Sequence, residues 1–155
     1  MLIPKAIKDS NDLYFKFVLN ETEKTCTVYL TDLAKMYHDS TITIPKTYKD
    51  YLITKIGDYA FSDCGSLVRI TIPDSVTSIG DGVFYYCDSL TSIVIPNSVT
   101  NIGADAFYYC DSLTIYCEST SKPSCWDTYW NAFYRPVYWA GQWEYDGNGK
   151  PIPLI

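Results

Sequence analysis

Ile70-Thr71-Ile72-Pro73-Asp74-Ser75-Val76-Thr77-Ser78-Ile79-Gly80 lies over Ile93-Val94-Ile95-Pro96-Asn97-Ser98-Val99-Thr100-Asn101-Ile102-Gly103 without a gap, at a shift of 23 residues. The match runs on. Val83-Phe84-Tyr85-Tyr86-Cys87-Asp88-Ser89-Leu90 falls on Ala106-Phe107-Tyr108-Tyr109-Cys110-Asp111-Ser112-Leu113, and one period earlier stands Ala60-Phe61-Ser62-Asp63-Cys64-Gly65-Ser66-Leu67. A stretched first copy opens at Thr41-Ile42-Thr43-Ile44-Pro45, with five extra residues between the proline and Ile56-Gly57. Apolar residues fixed at a period of 20–29 mark a leucine-rich-repeat solenoid, one short strand and one helical or 3-10 turn per coil.

The chemistry of one coil follows from spacing. Two Ile two apart put both side chains on one face of a strand and the residue between them on the other. The proline after them has no N–H for the ladder and ends the strand. Ile79-Gly80 and Ile102-Gly103 give a second inward residue and a glycine expected to take positive φ and turn the chain. Phe and Cys three apart share the inner face of a helical turn. Phe61, Phe84 and Phe107 are therefore predicted to stack in one core column and Cys64, Cys87 and Cys110 in another, the thiols reduced and buried because parallel side chains do not lean together for a bridge.

The sequence has 155 residues, 47% hydrophobic and 19% charged, with a net charge of −6. That suits one folded domain and lies far from disordered composition. Scattered bases on an acidic chain do not fit a phosphate backbone, so nucleic acid is not an expected partner. Every apolar run falls well short of the ~20 residues that cross a bilayer, so no membrane insertion is expected. Met1–Asp9 reads as no export signal, since Pro4, Lys5 and Lys8 interrupt it.

The pattern Ile-x-Ile-Pro-(Asp/Asn)-Ser-Val-Thr-x-Ile-Gly-x-x-(Ala/Val)-Phe-x-x-Cys-x-Ser-Leu resembles the BspA-like leucine-rich-repeat family. The resemblance implies a single domain over 1–155: an N-terminal β-hairpin cap at 1–40, repeats at 41–117, and an aromatic C-terminal cap at 118–155 that gathers all four Trp. The fold expected is a short right-handed β/α-type superhelix. Repeat strands near 42–44, 70–72, 93–95 and 115–117 should form one parallel sheet, with helical or 3-10 turns on the convex side. The hairpin is read from Leu13–Leu19 and Thr25–Leu30, and Lys35–Asp39 as a turn.

The family implies recognition of a protein or glycan partner at a cell surface or in a secreted form, and no chemistry. An intracellular adaptor is the other reading, resting on the missing leader. His38 is the only histidine, a narrow base for an enzyme, so no catalytic residue, cofactor or metal site is predicted. The cysteine spacing contains no CxxC pair for zinc. Cys117 and Cys125 stay open as a disulfide pair. The candidate binding surface is the outward sheet face, Thr43, Arg69, Thr71, Ser92, Val94 and Tyr116. Tyr85, Tyr86, Tyr108 and Tyr109 form a second candidate surface on the convex side.

Overall fold

The structure, a computed structural model, describes residues 14–37 and 39–155. Leu13, His38 and Met1–Asp9 lie outside the described residues. In chain order the elements are β1 (Phe15–Asn20), β2 (Thr25–Leu30), α1 (Asp32–Tyr37), β3 (Thr41–Thr43), β4 (Thr47–Tyr48), β5 (Tyr51–Ile56), β6 (Arg69–Thr71), β7 (Ser78–Ile79), β8 (Ser92–Ile95), β9 (Asn101–Ile102), β10 (Thr114–Cys117), β11 (Val137–Tyr138), β12 (Trp143–Tyr145) and β13 (Pro151–Pro153).

The repeat strands make a front sheet in the order β11-β10-β8-β6-β3, every pair parallel. Equivalent residues of successive coils sit side by side, Ile70 beside Ile93 and Ile93 beside Ile115. Each Ile pair points inward, as its period of two requires. After the front strand, the carbonyls of Pro73 and Pro96 accept the N–H of Val76 and Val99, both at 3.1 Å. The proline thus closes a turn with the one polar group it retains.

Ile79 and Ile102 then enter short strands rather than plain turns. Strands β2, β5, β7 and β9 form a second, parallel back sheet. Antiparallel β1 extends it at one edge, so the N-terminal hairpin prolongs the back sheet. The five extra residues of the first copy fold as the β4–β5 hairpin. Lys35, Met36 and Tyr37, expected in a turn, belong to helix α1. Thr31 starts it by accepting the Ala34 N–H on its hydroxyl at 3.1 Å, the bonding of a helix N-cap.

From the back sheet the chain returns to the front along a wall of turns. Bonds of the i+3 to i type recur there, Tyr85 N–H to Gly82 O at 3.0 Å and Cys87 N–H to Phe84 O at 3.1 Å. Left-handed residues interrupt them, so no helix propagates. They occupy two fixed places per coil: Tyr59, Gly82 and Asp105 at φ of 54°, 56° and 53°, and Asp63, Tyr86 and Tyr109 at 60°, 59° and 55°. The freed N–H groups bond the neighbouring coil instead, as in Phe61 N–H to Val83 O at 2.9 Å and Phe84 N–H to Ala106 O at 2.8 Å.

The two glycines of the Ile-Gly pairs depart from the expected positive φ. Gly80 and Gly103 have no left-handed φ; positive φ falls two residues later. What they require is room. A Cβ on Gly80 would overlap the Asp58 carboxylate and lie 2.8 Å from the Asp58 nitrogen, and Gly103 meets Asp81 in the same way. Each carboxylate crosses its glycine to accept the next backbone N–H, Asp58 from Asp81 and Asp81 from Ala104, both at 2.9 Å.

The core column is as expected. Phe61, Phe84 and Phe107 are buried, stacked with centroids 5.8 and 5.6 Å apart. Trp130 stands edge-on to Phe107 at 6.0 Å and closes the column. None of the six cysteines forms a disulfide, and only Cys125 is exposed. The Cys87 thiol donates to Phe61 O at 3.1 Å and the Cys110 thiol to Phe84 O at 3.0 Å. A small polarizable donor thus fills the core and satisfies a buried carbonyl.

Candidate functional site

The outward rows of the front sheet run Arg69-Ser92-Thr114 and Val94-Tyr116-Tyr138 across the strands. Thr43 pairs with Thr71 at the β3 end. This face was expected to be open. Instead the β12–β13 hairpin folds back against its C-terminal half. Trp143 donates its indole N–H to Cys117 O at 2.9 Å and packs edge-on against Tyr116 at 5.6 Å.

Two expectations change with it. Tyr116 and Ser92 are buried, exposed by only 6% and 5%. The Tyr116 ring is enclosed between Trp143 and Tyr138, stacked at 5.6 Å. Ser92 lies at the bottom of a cleft. Thr43 remains exposed but outside that cleft.

The cleft, about 260 Å³, opens where the hairpin leaves the sheet. Arg69, Thr71, Ser92 and Val94 line its sheet side, and Glu118 and Tyr145 the other. Glu118 accepts the Asn97 N–H at 2.9 Å. Burial, then the Glu118 charge, pushes the Tyr145 hydroxyl's pKa up, so it remains a neutral donor at physiological pH. The hairpin turn is pinned by Asp146, whose carboxylate accepts the N–H groups of Asn148 and Lys150 at 2.8 and 2.9 Å. Those bonds, with Lys150 and Arg69 nearby, hold its carboxyl below the usual range. A half-buried cation, short hydroxyls and an aromatic edge in one cleft suit recognition of a polar or acidic group beside an apolar one.

Sequence reasoning found Arg69, Thr71, Ser92 and Val94 and missed Glu118 and Tyr145. A signal existed: Asp146-Gly147-Asn148-Gly149 between Trp143-Glu144-Tyr145 and Pro151-Ile152-Pro153 is a strand–turn–strand pattern. Aromatic density drew the reading toward end-capping. Trp126 and Trp130 do bury at the end of the stack, and the Trp126 indole donates to Val99 O at 3.3 Å.

The second candidate surface lies on the turn wall. Tyr85 and Tyr108 stack at 5.0 Å, Tyr86 and Tyr109 at 4.5 Å, and the two pairs meet edge-on. Tyr86 and Tyr109 are the exposed members.

Residues 34–134 match the BspA type leucine rich repeat region, in 6 copies. The chain belongs to the BspA-type leucine-rich-repeat family. Among solved structures it is similar to a leucine rich cell surface protein from Faecalibacterium prausnitzii, with 27% identity and a TM-score of 0.60 over 81% of this chain and 41% of that one. A leucine-rich repeat protein from Bacteroides capillosus shares the fold, with 22% identity and a TM-score of 0.50 over 68% of this chain and 95% of that one. No curated protein matches. The fold is thus a leucine-rich-repeat solenoid with parallel sheets, a repeat-based binding architecture. Among the described residues no helix is long and apolar enough to cross a membrane.

Proposed function

We propose that this chain is a non-enzymatic recognition module, working at or beyond a bacterial cell surface, that holds a segment of a partner protein in the cleft between the front sheet and the β12–β13 hairpin. The observation that carries this reading is the gathering of Arg69, Thr71, Val94 and Tyr145 around one opening on a rigid scaffold. Its groups suit binding more than acid–base work: the Arg69 guanidinium is a forked donor suited to holding a carboxylate, and Glu118 is engaged with backbone. The surface location rests on the similarity to the Faecalibacterium cell surface protein. So small a cleft gives modest affinity for one copy, raised when several act together.

Immobilised protein and an Arg69→Ala/Tyr145→Ala variant, compared in capture from surface-exposed and cytosolic protein fractions and on a glycan array, test the reading. Surface proteins held by the parent and lost by the variant support it. A variant-sensitive signal only on the glycan array moves the ligand class to carbohydrate. A variant-sensitive partner only from the cytosol favours the intracellular adaptor. Equal capture by both proteins removes the cleft from the function.

A further inference from the structure

The turn wall carries a feature that the cleft does not use. Between Lys55 and Lys122 the sequence has eight carboxylates and one base, Arg69, which lies on the front sheet. Six of the acids, Asp58, Asp63, Asp81, Asp88, Asp105 and Asp111, fall on the wall. They flank a continuous aromatic ribbon. Tyr59 meets Tyr85 at 6.0 Å, the two stacked tyrosine pairs follow, and Phe133 meets Tyr108 at 4.7 Å and Tyr109 at 5.9 Å. Within the stacks the ring faces cover one another, so edges and hydroxyls point outward. That geometry is a poor platform for a sugar ring, which needs an open aromatic face.

The ribbon already holds one guanidinium, and the Lys35 ammonium reaches its other end by donating to Tyr59 O and Ser62 Oγ at 3.0 and 3.1 Å. The Arg135 guanidinium sits 5.7 Å from the Phe133 ring centre, and its Nη2 is 2.8 Å from Asp111 Oδ1. One coil earlier, Asp88 takes the place of Asp111 beside the Tyr85-Tyr86 pair. One coil before that, the Asp63 N–H donates to Tyr85 O at 2.8 Å, which places Asp63 beside the Tyr85-Tyr86 pair. Among the described residues no cation pairs with Asp63 or Asp88, and both are exposed.

We propose that the turn wall is a docking surface for an arginine-bearing basic segment of a partner protein, its guanidinium groups settling beside Tyr85, Tyr86 and Tyr109 against Asp63 and Asp88 as Arg135 settles on Phe133 and Asp111. Charge complementarity chooses the occupant. A guanidinium is planar and weakly hydrated, and its fork of donors can pair with a carboxylate while its remaining N–H groups reach the tyrosine hydroxyl oxygens at the ring edges, which an ammonium does less well. This surface is separate from the front-sheet cleft and stands or falls independently of it.

The test is fluorescence anisotropy with a labelled (Arg-Gly)6 peptide at low and high salt. Binding weakens with salt, and (Lys-Gly)6 binds several-fold less tightly. The Asp63→Asn/Asp88→Asn variant loses affinity about tenfold, and so does Tyr86→Asn/Tyr109→Asn. Asn tolerates the left-handed backbone at 86 and 109, which keeps the second variant folded. An Asp50→Asn/Glu144→Gln control removes equal charge elsewhere and binds as the parent does. No binding of (Arg-Gly)6, equal weakening by the control, or wall variants that bind as the parent does would each overturn the proposal.

Discussion

At the residue scale, the glycine of each Ile-Gly pair and the aspartate that crosses it act as one device. Gly80→Ala drives a Cβ into the Asp58 backbone nitrogen, so moving the carboxylate aside does not relieve it. The expected loss is about 1–3 kcal/mol, as for other overpacked sites. Gly65→Ala is the control: its Cβ would meet only Asp88 Oδ1, at 3.4 Å, with no positive φ. Urea midpoints should fall for Gly80→Ala and hold or rise slightly for Gly65→Ala; equal midpoints would refute the steric reading. The thiols have a pH consequence. Burial raises Cys110 and Cys117 from 9.0 to about 12. Raised folded values mean that their stabilising contribution is complete below pH 9 and is lost as pH climbs from 9 toward 12, because the unfolded chain ionises first. Each thiol should then lower stability by about 1.4 kcal/mol per pH unit within that window. Denaturation of parent and Cys110→Ala at pH 8 and 10.5 measures it: the variant's curve should be the less steep in pH.

At the element scale, the aromatic column sets the stability of the stack. Phe84 has a phenyl ring above and below it, 5.8 and 5.6 Å away, and is fully buried. Phe84→Ala should cost about 3–5 kcal/mol, and an unchanged urea midpoint would show that the column is not what holds the coils. This column, the front sheet and the buried cysteines were legible because a 23-residue period makes every inward position speak several times. The back sheet was less so. Two-residue strands such as Ser78–Ile79 show one apolar residue per coil, too little for a period of two to register. The wall misled differently: Phe-x-x-Cys has helical spacing, but left-handed backbone at Asp63, Tyr86 and Tyr109 breaks the helix, and two of those residues are tyrosines, which give no warning of it. Half of the cleft was visible for the same reason as the sheet. The other half comes from β12 and β13, whose contact with Tyr116 spans more than twenty residues of sequence and leaves no local pattern.

At the scale of the whole molecule, both sheets and the turn wall pass backbone hydrogen bonds from coil to coil. Stability should therefore grow with coil number, each coil depending on its neighbours. The wall has a second effect. A solenoid bends into an arc when one side is built of bulky helices and the other of strands, because the two sides then need different pitches. Here the side between the sheets is a wall of non-helical turns whose backbone N–H groups bond the next coil in register, so front, back and wall advance by the same ~4.7–4.9 Å per coil. The array has no cause to bow. Inserting a second copy of residues 70–92 should lengthen the particle by that one step along a straight axis, a change that small-angle scattering reads as added length at constant cross-section; a coil that instead bent the particle would show the pitches to be unequal. A straight array works as a gauge: it offers a long partner chemically equivalent positions at constant intervals, and the number of coils alone sets how much of that partner it can measure.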